Sequence, residues 1–366
     1  MNLEEFKNIF YMEWGHRVLG RIIGVAFVVP LAYFAARKKL TATLPKHLTA
    51  MALLLGFQGA LGWYMVKSGL EDSLMDSPNA VPRVSQYRLA AHLGTAFLLY
   101  AGMFGTGLSV LYDWRFAKKG TWSGMTGAAA YEQVLANPLV KTFLRRSKAL
   151  TALVFVTALS GTYNACFCEP GAISDFRYFW CIGAFVAGLD AGLLYNEFPL
   201  MGGRLSPPGD ELFDPAYAKK EDKSDLWWRN VLENPITVQF NHRCLVSSFS
   251  LRSRVQRLRI SQAITTYVST GLLFASSLNP SMKTALTPMA KRMVRSAFLM
   301  ANVQVALGIS TLLYLVPIPL AALHQAGSVA LLTTMIHLLI SLRRPGTAAR
   351  LWRQANLAKT AGNARA

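Results

Sequence analysis

Eight apolar runs dominate the sequence, at about 17–36, 48–66, 87–111, 148–163, 182–196, 260–278, 294–315 and 319–341. Crossing about 30 Å of hydrocarbon takes roughly 20 apolar residues in a helix. Inside lipid every backbone N–H and C=O must find its partner within the protein, which leaves helices or a closed barrel. Runs of this length predict helices, and hence an all-α polytopic membrane protein. Composition agrees: only 16% of residues are charged, against about 25% in soluble globular domains.

The formal net charge of +19 raises nucleic acid as a partner. The basic residues instead fall between the apolar runs, which excludes that class. They cluster at Arg37-Lys38-Lys39, across 113–148, from Lys283 to Arg295, and from Arg343 onward. The alternate connections are acidic, with Glu71 and Asp72 in one and Asp210 to Asp225 in the other. The positive-inside rule puts the basic connections on one side of the membrane and the acidic ones opposite. That pattern requires 148–196 to cross once. Cys166, Cys168, Cys181 and Cys244 are too few for a disulfide framework, and Cys166-Phe-Cys168 lacks the second ligand pair of a zinc site. Neither a secretory signal nor an Arg- and Ser-rich transit peptide is visible at the start, where Met1 to Trp14 is polar and amphipathic.

The sequence repeats itself. His16-Arg17 opens the first run, and His242-Arg243 follows the long acidic loop in the same way. Gln58-Gly-Ala-Leu-Gly62 matches Gln304-Val-Ala-Leu-Gly308, and Leu89-Ala-Ala-His92 echoes Leu320-Ala-Ala-Leu-His324. The pairs recur in the same order, the mark of a duplicated unit. With the sidedness above, His16, His92, His242 and His324 all fall near the acidic membrane face, two per half. Ionisable groups inside a membrane are costly and are functional candidates.

Two helices that each turn one imidazole inward can hold a cofactor in a bundle. Zinc would want a third or fourth N or S ligand, and none repeats with the histidines. Haem wants two axial imidazoles among apolar walls, so a bis-histidine haem in each half fits better; histidines satisfied within helix packing are the alternative. His47, in a basic loop, and His337, about 20 Å along a helix from His324, read as incidental. The halves differ in one group. Glu13 lies three residues before His16, on the same helical face, whereas Gln239 stands at the matching place before His242. A carboxylate beside one site assigns the chemistry to the first half, unless Glu13 only meets a helix dipole. Arg17, Arg21 and Arg243 suit haem propionates or interfacial anchoring equally.

Several segments carry a resemblance: Tyr11-Met-Glu-Trp-Gly-His-Arg-Val-Leu-Gly-Arg21, Gly62-Trp-Tyr-Met-Val-Lys-Ser-Gly69, Gln86-Tyr-Arg-Leu-Ala-Ala-His92, Ala187-Gly-Leu-Asp-Ala-Gly192, Val238-Gln-Phe-Asn-His-Arg243 and Pro319-Leu-Ala-Ala-Leu-His-Gln325. From about residue 4 to 345 the chain resembles the haem A synthase family of mitochondrial and proteobacterial type. The resemblance implies two pseudo-symmetric four-helix halves. It further implies a haem b cofactor on His242 and His324, with Arg243 beside it, and a haem O substrate site at His16 and His92. Glu13 would act at the methyl group that is oxidised through hydroxymethyl to formyl. It also implies a ferredoxin-type electron donor, supply of haem O by haem O synthase, and a multi-pass place in the mitochondrial inner membrane, or the plasma membrane of a prokaryote. Homo-oligomerisation stays open.

The expected organisation is an N-terminal half-bundle with the substrate site over 1–147, then a connecting helix with an insertion and a long acidic loop over 148–240. A C-terminal half-bundle with the haem b site over 241–345 and a basic tail over 346–366 follow. Three features depart from the family: its first helix is absent before the Glu13–His16 motif, and extra residues stand near 163–183 and near 248–268. The last insertion brings Arg252, Arg254, Arg257 and Arg259 into a span where each costs about 2.5–3.5 kcal/mol. Both extra segments read as untranslated sequence retained in a gene model. Two other functions stay open on sequence: a bis-histidine electron carrier of cytochrome b561 type, and a catalytically impaired isoform.

Overall fold

The computed structural model of the chain describes residues 3–41, 44–69, 86–127, 130–160, 193–243 and 262–363. These form α1 (Leu3–Ala36), α2 (Leu44–Gly69), α3 (Gln86–Lys119), the hairpin β1 (Thr121–Trp122) and β2 (Met125–Thr126), α4 (Ala130–Ala136) and α5 (Pro138–Ser160). The acidic loop carries α6 (Gly209–Leu212), α7 (Leu226–Glu233) and α8 (Pro235–Arg243). Then come α9 (Gln262–Leu278), α10 (Pro280–Ala285), α11 (Pro288–Leu313), α12 (Ile318–Ser341) and α13 (Thr347–Asn363). The protein is an all-α polytopic membrane protein.

Five helical stretches are long and apolar enough to span: Phe10–Ala36, Leu44–Lys67, Tyr87–Lys119, Pro288–Leu313 and Ile318–Ser341. Ala263–Leu278 is a shorter apolar helix. The expected span at 148–163 is the apolar second half of α5, whose first half carries Lys141, Arg145, Arg146 and Lys148. Most of the expected span at 182–196 lies outside the described residues, as do all four cysteines, the 163–183 segment and the four arginines from 252 to 259. The 17–36 run is part of one continuous helix from Leu3, and His47 sits on the first turn of α2 rather than in a loop. Residues 347–363 of the tail are helical. Along α1, Leu19, Ile22, Val25 and Val29 are exposed, an apolar surface suited to lipid and not to water.

The core sits where α5, α9, α11 and α12 meet. Along α11, Ala290, Val294, Ala297 and Ala301 recur at helical spacing and are buried. Small side chains let helix backbones approach closely in a membrane, so Leu331, Leu332, Met335 and Leu338 of α12 close over this stripe. Val140, Phe143, Leu150 and Val154 of α5 and Leu273 of α9 complete the cluster. α11 begins firmly because Thr287 caps it, accepting from the Ala290 N–H at 3.1 Å, with Pro288 in the first turn.

Polar contacts fix which helix ends share a face. Arg343, just past α12, pairs with Asp113 near the end of α3, and the Trp122 indole donates to the Arg343 carbonyl at 3.0 Å. The hairpin meets the start of α11 through Ser123 Oγ and Thr287 Oγ1 at 2.9 Å. These basic segments therefore gather at one end. At the other end, the Tyr87 hydroxyl at the start of α3 donates to Glu233 of the acidic loop at 2.8 Å. Asn196 of that loop donates to the Leu312 carbonyl near the end of α11. α3 and α12 run parallel, as Tyr100 with Thr333 and Tyr112 with His337 also require.

Candidate functional site: two imidazole pairs at one end

His92 stands two turns into α3 and His324 two turns into α12, both counted from the acidic end. Because the two helices run parallel, the histidines sit at matching depth. His16 of α1 meets His92 with ring centroids 6.3 Å apart and planes at 72°. His242, at the end of α8, lies within electrostatic reach of His324. The structure thus puts His16 and His92 in ring contact and sets His242 in the neighbourhood of His324.

Each of His92 and His324 rests on a glycine. Gln58 and Gly62 are four residues apart on α2, so they share a face; Gln304 and Gly308 do the same on α11. A Cβ built on Gly62 would lie 3.0 Å from Cε1 of His92, and one on Gly308 would lie 2.9 Å from Cε1 of His324. Real carbon contacts run to about 3.5–4.0 Å, so only glycine leaves room for the ring at either place. Gly56 and Gly59, on the same helix as Gly62, meet nothing within 4 Å. Nδ1 of His92 and Nδ1 of His324 are both buried with no hydrogen-bond partner among the described residues. A buried polar atom left unpaired costs free energy, and here the same atom is orphaned in both halves.

The paired glutamines act differently. Gln58 presents its amide nitrogen to Nε2 of His92 at 3.4 Å, while Thr95 Oγ1, one turn beyond the histidine, contacts Gln58 Oε1. Gln304 donates instead to the backbone carbonyl of His324 at 2.8 Å. The residue one turn beyond His324 is Gly327, and a Cβ there would come within 2.3 Å of Gln304 Oε1.

Glu13 forms an ion pair with Arg17, one turn on, and both side chains are about half exposed. It flanks His16 on the same helical face without entering a buried pocket. Gln239, its counterpart, is buried and donates to the Tyr195 carbonyl at 3.1 Å. Arg243 donates to that same carbonyl. Tyr195 in turn donates its hydroxyl to Glu211 at 2.7 Å, and this bond, with burial, raises the phenol above its ordinary pKa of 10. Nothing in the sequence marks the Tyr195 carbonyl, since backbone acceptors leave no residue-type signature. His337 has a partner, the Tyr112 hydroxyl at 3.0 Å, far from either pair.

Two imidazoles can share one metal ion when their nitrogens converge on it. A metal–nitrogen bond of about 2.0–2.1 Å on each side, with about 1.2 Å from nitrogen to ring centre, puts the centroids at most about 6.4–6.6 Å apart, so rings 6.3 Å apart, as His16 and His92 are, can both reach one ion when a nitrogen of each turns toward it. Among the described residues no group of three or more His, Cys, Asp or Glu side chains gathers to form a fuller ligand set.

Known proteins resemble this chain along most of its length. The profile of the cytochrome oxidase assembly protein family (COX15-CtaA) matches residues 1–166 and 179–336. It passes over 167–178, inside the first segment that the sequence sets apart as an insertion. The chain is 41% identical over 348 residues to the protein named heme A synthase COX15 of Saccharomyces cerevisiae, covering 94% of this chain and 62% of that protein. It is 40% identical over 342 residues to the heme A synthase–mitochondrial ferredoxin fusion protein of Schizosaccharomyces pombe, covering 92% of this chain and 48% of the fusion. It is 38% identical over 344 residues to the heme A synthase of the bacterium Nitrosospira multiformis, covering 94% of this chain and 74% of that protein. The chain thus spans less than two thirds of the length of the two fungal relatives. No solved structure matches it.

Proposed function

The chain belongs to the cytochrome oxidase assembly protein family, and from that premise we propose that it oxidises the methyl group of haem O to the formyl group of haem A. The observation that carries this is the pair of matched imidazole sites at one end of the bundle, in a chain about 40% identical to proteins named heme A synthase. His16 and His92 hold the substrate, haem O; His242 and His324 hold a resident haem b. The 6.3 Å ring separation in the first pair and the glycine that leaves room for one ring in each half support that ligation. When bound, the haem b supplies one-electron redox chemistry.

The methyl carbon loses four electrons in becoming a formyl group. With dioxygen as oxidant, reduced jointly by the substrate and an electron donor, the conversion balances as –CH3 + 2 O2 + 4 H⁺ + 4 e⁻ → –CHO + 3 H2O, so protons must leave the reacting carbon and a donor must supply electrons. Glu13, held by Arg17 one turn away, sits beside His16 and is the carboxylate that takes a proton or stabilises positive charge at that carbon. Gln239, its neutral counterpart, spends its amide on the Tyr195 carbonyl, which suits a site that binds without reacting. Arg243 steadies the second site from the loop. An electron carrier across the membrane would place its ligands near both faces, so the shared end favours the enzyme.

The electron donor is ferredoxin-like, an assignment that the fused mitochondrial ferredoxin of the Schizosaccharomyces pombe relative supports. Haem O synthase supplies the substrate, and the protein works in the mitochondrial inner membrane. Expression in a host that makes haem O but no haem A tests the proposal. Extracted pigment should contain haem A, and haem O accumulating unchanged would refute the assignment.

A further inference from the structure

The duplicated Gln-x-x-x-Gly motif raises a question that its repetition hides: the two glutamines do not hold the same thing. Gln58 reaches the imidazole of His92 itself, and the hydroxyl of Thr95 stands against its carbonyl oxygen. That hydroxyl is also within reach of the Ala91 and His92 carbonyls, at 2.7 and 2.9 Å, so Thr95, Gln58 and His92 form one short polar chain from α3 to α2 and back to the ring. Gln304 bypasses its ring and donates to the main chain of His324. The cause lies one turn beyond each histidine. Thr95 offers the first glutamine a partner and a stop, whereas Gly327 has no side chain and the Gln304 carbonyl oxygen fills that space, within 2.3 Å of where a Cβ would lie.

We propose that the Thr95/Gly327 difference divides the labour of the two sites. Gln58 is a positioning residue that sets the orientation of the His92 ring through a side-chain chain able to adjust as haem enters and leaves. Gln304 is a helix staple that locks α12 to α11 and keeps His324 in one place for a permanent occupant. This rests on the assignment of substrate to the first pair and resident cofactor to the second. It adds the reason that two copies of one motif can serve an exchanging and a fixed ligand. A side chain bonded to a side chain moves by rotamer, but one bonded to a helix carbonyl moves only if the helix moves.

Five substitutions separate the two jobs. In Gln304→Leu and Gly327→Ala, backbone amide exchange around His324 should quicken roughly two- to twelvefold, the range expected for losing one net hydrogen bond, with or without haem. In Gln58→Leu and Thr95→Val, exchange around His92 should stay within about twofold of the parent. The low-spin electron paramagnetic resonance signal of the first-site haem should broaden or split, and Thr95→Ser should restore it. Equal quickening around His92 in Gln58→Leu, or an unaltered first-site signal in both Gln58→Leu and Thr95→Val, would overturn the division. The failure of the functional assignment looks different. If the parent protein bound no haem at all, the exchange arm on haem-free protein would still decide whether Gln304 staples and Gln58 does not.

Discussion

Replacing Gly308 by alanine should cost the fold no more than about 2.5 kcal/mol while spoiling the second haem site. The new Cβ would stand 2.9 Å from Cε1 of His324, about 0.6–1.1 Å inside an ordinary carbon contact. Overpacking of this kind costs about 1–3 kcal/mol. Alanine in a helix interior recovers about 0.5–1 kcal/mol over glycine. The net change is therefore from about zero to 2.5 kcal/mol, relieved most easily by swinging the ring away. Such a swing exceeds the roughly 0.5 Å within which a binding constellation must be held. Gly62→Ala should act alike on His92, where the Cβ would be 3.0 Å from the ring. Gly56→Ala and Gly59→Ala, which meet nothing within 4 Å, should gain about 0.5–1 kcal/mol and keep both haems. Thermal unfolding in detergent, with haem-to-protein ratio and optical spectrum on the same samples, measures all four. If Gly308→Ala kept full haem content and an unchanged spectrum, the glycine cradle would be wrong.

Other expectations follow from single contacts. Glu13→Gln should retain haem but slow oxidation by about a hundredfold or more, the lower bound usual for a lost acid–base group; steady-state turnover with haem O checks it, and unimpaired turnover would remove Glu13 from the chemistry. Asp113→Asn should cost about 1.5–3 kcal/mol, the scale for a hydrogen bond to a charged group, because Asp113 holds Arg343 and the Gly346 N–H at once; an unaltered unfolding midpoint would contradict this. The Tyr195–Glu211 bond should make loop docking fail in alkali. The folded phenol titrates above the free one, so its contribution is complete below pH 10 and fades as pH rises through the folded value. Limited proteolysis of the 193–225 segment should speed up there, and Tyr195→Phe should remove that pH dependence.

The spans were legible because lipid imposes one simple rule on apolar runs, and α2, α3, α11 and α12 fall close to the stretches the sequence marks out. α5 was harder to place, since four cations in its first half hide a helix whose inner face carries Val140 and Phe143. The four histidines could be picked out by repetition and by counting which loops are acidic. Their pairing within each half followed from the same repeat, and the matched depth of His92 and His324 rests on the parallel course of α3 and α12, seen in contacts such as Tyr100 with Thr333. The repeated Gln and Gly were visible as letters, yet their contact with the imidazoles depends on how closely α2 approaches α3. The different work of Gln58 and Gln304 depends on Thr95 and Gly327, which lie outside the matched motif. Glu13 with Arg17 is an ordinary four-residue helical pair, readable from spacing; the Tyr195 carbonyl that gathers Gln239 and Arg243 is a backbone atom and could not be.

The two sites should hold different occupants, and haem typing of purified variants addresses that most directly. Pigment extracted from the parent protein, His92→Ala and His324→Ala, and separated by chromatography, should differ in kind. The parent should carry haem b together with haem O or haem A; His324→Ala should lose the haem b; His92→Ala should keep haem b and yield no haem A. Loss of the same pigment from both variants, or haem b unaffected in His324→Ala, would contradict the division of the two halves into a reacting site and a holding site.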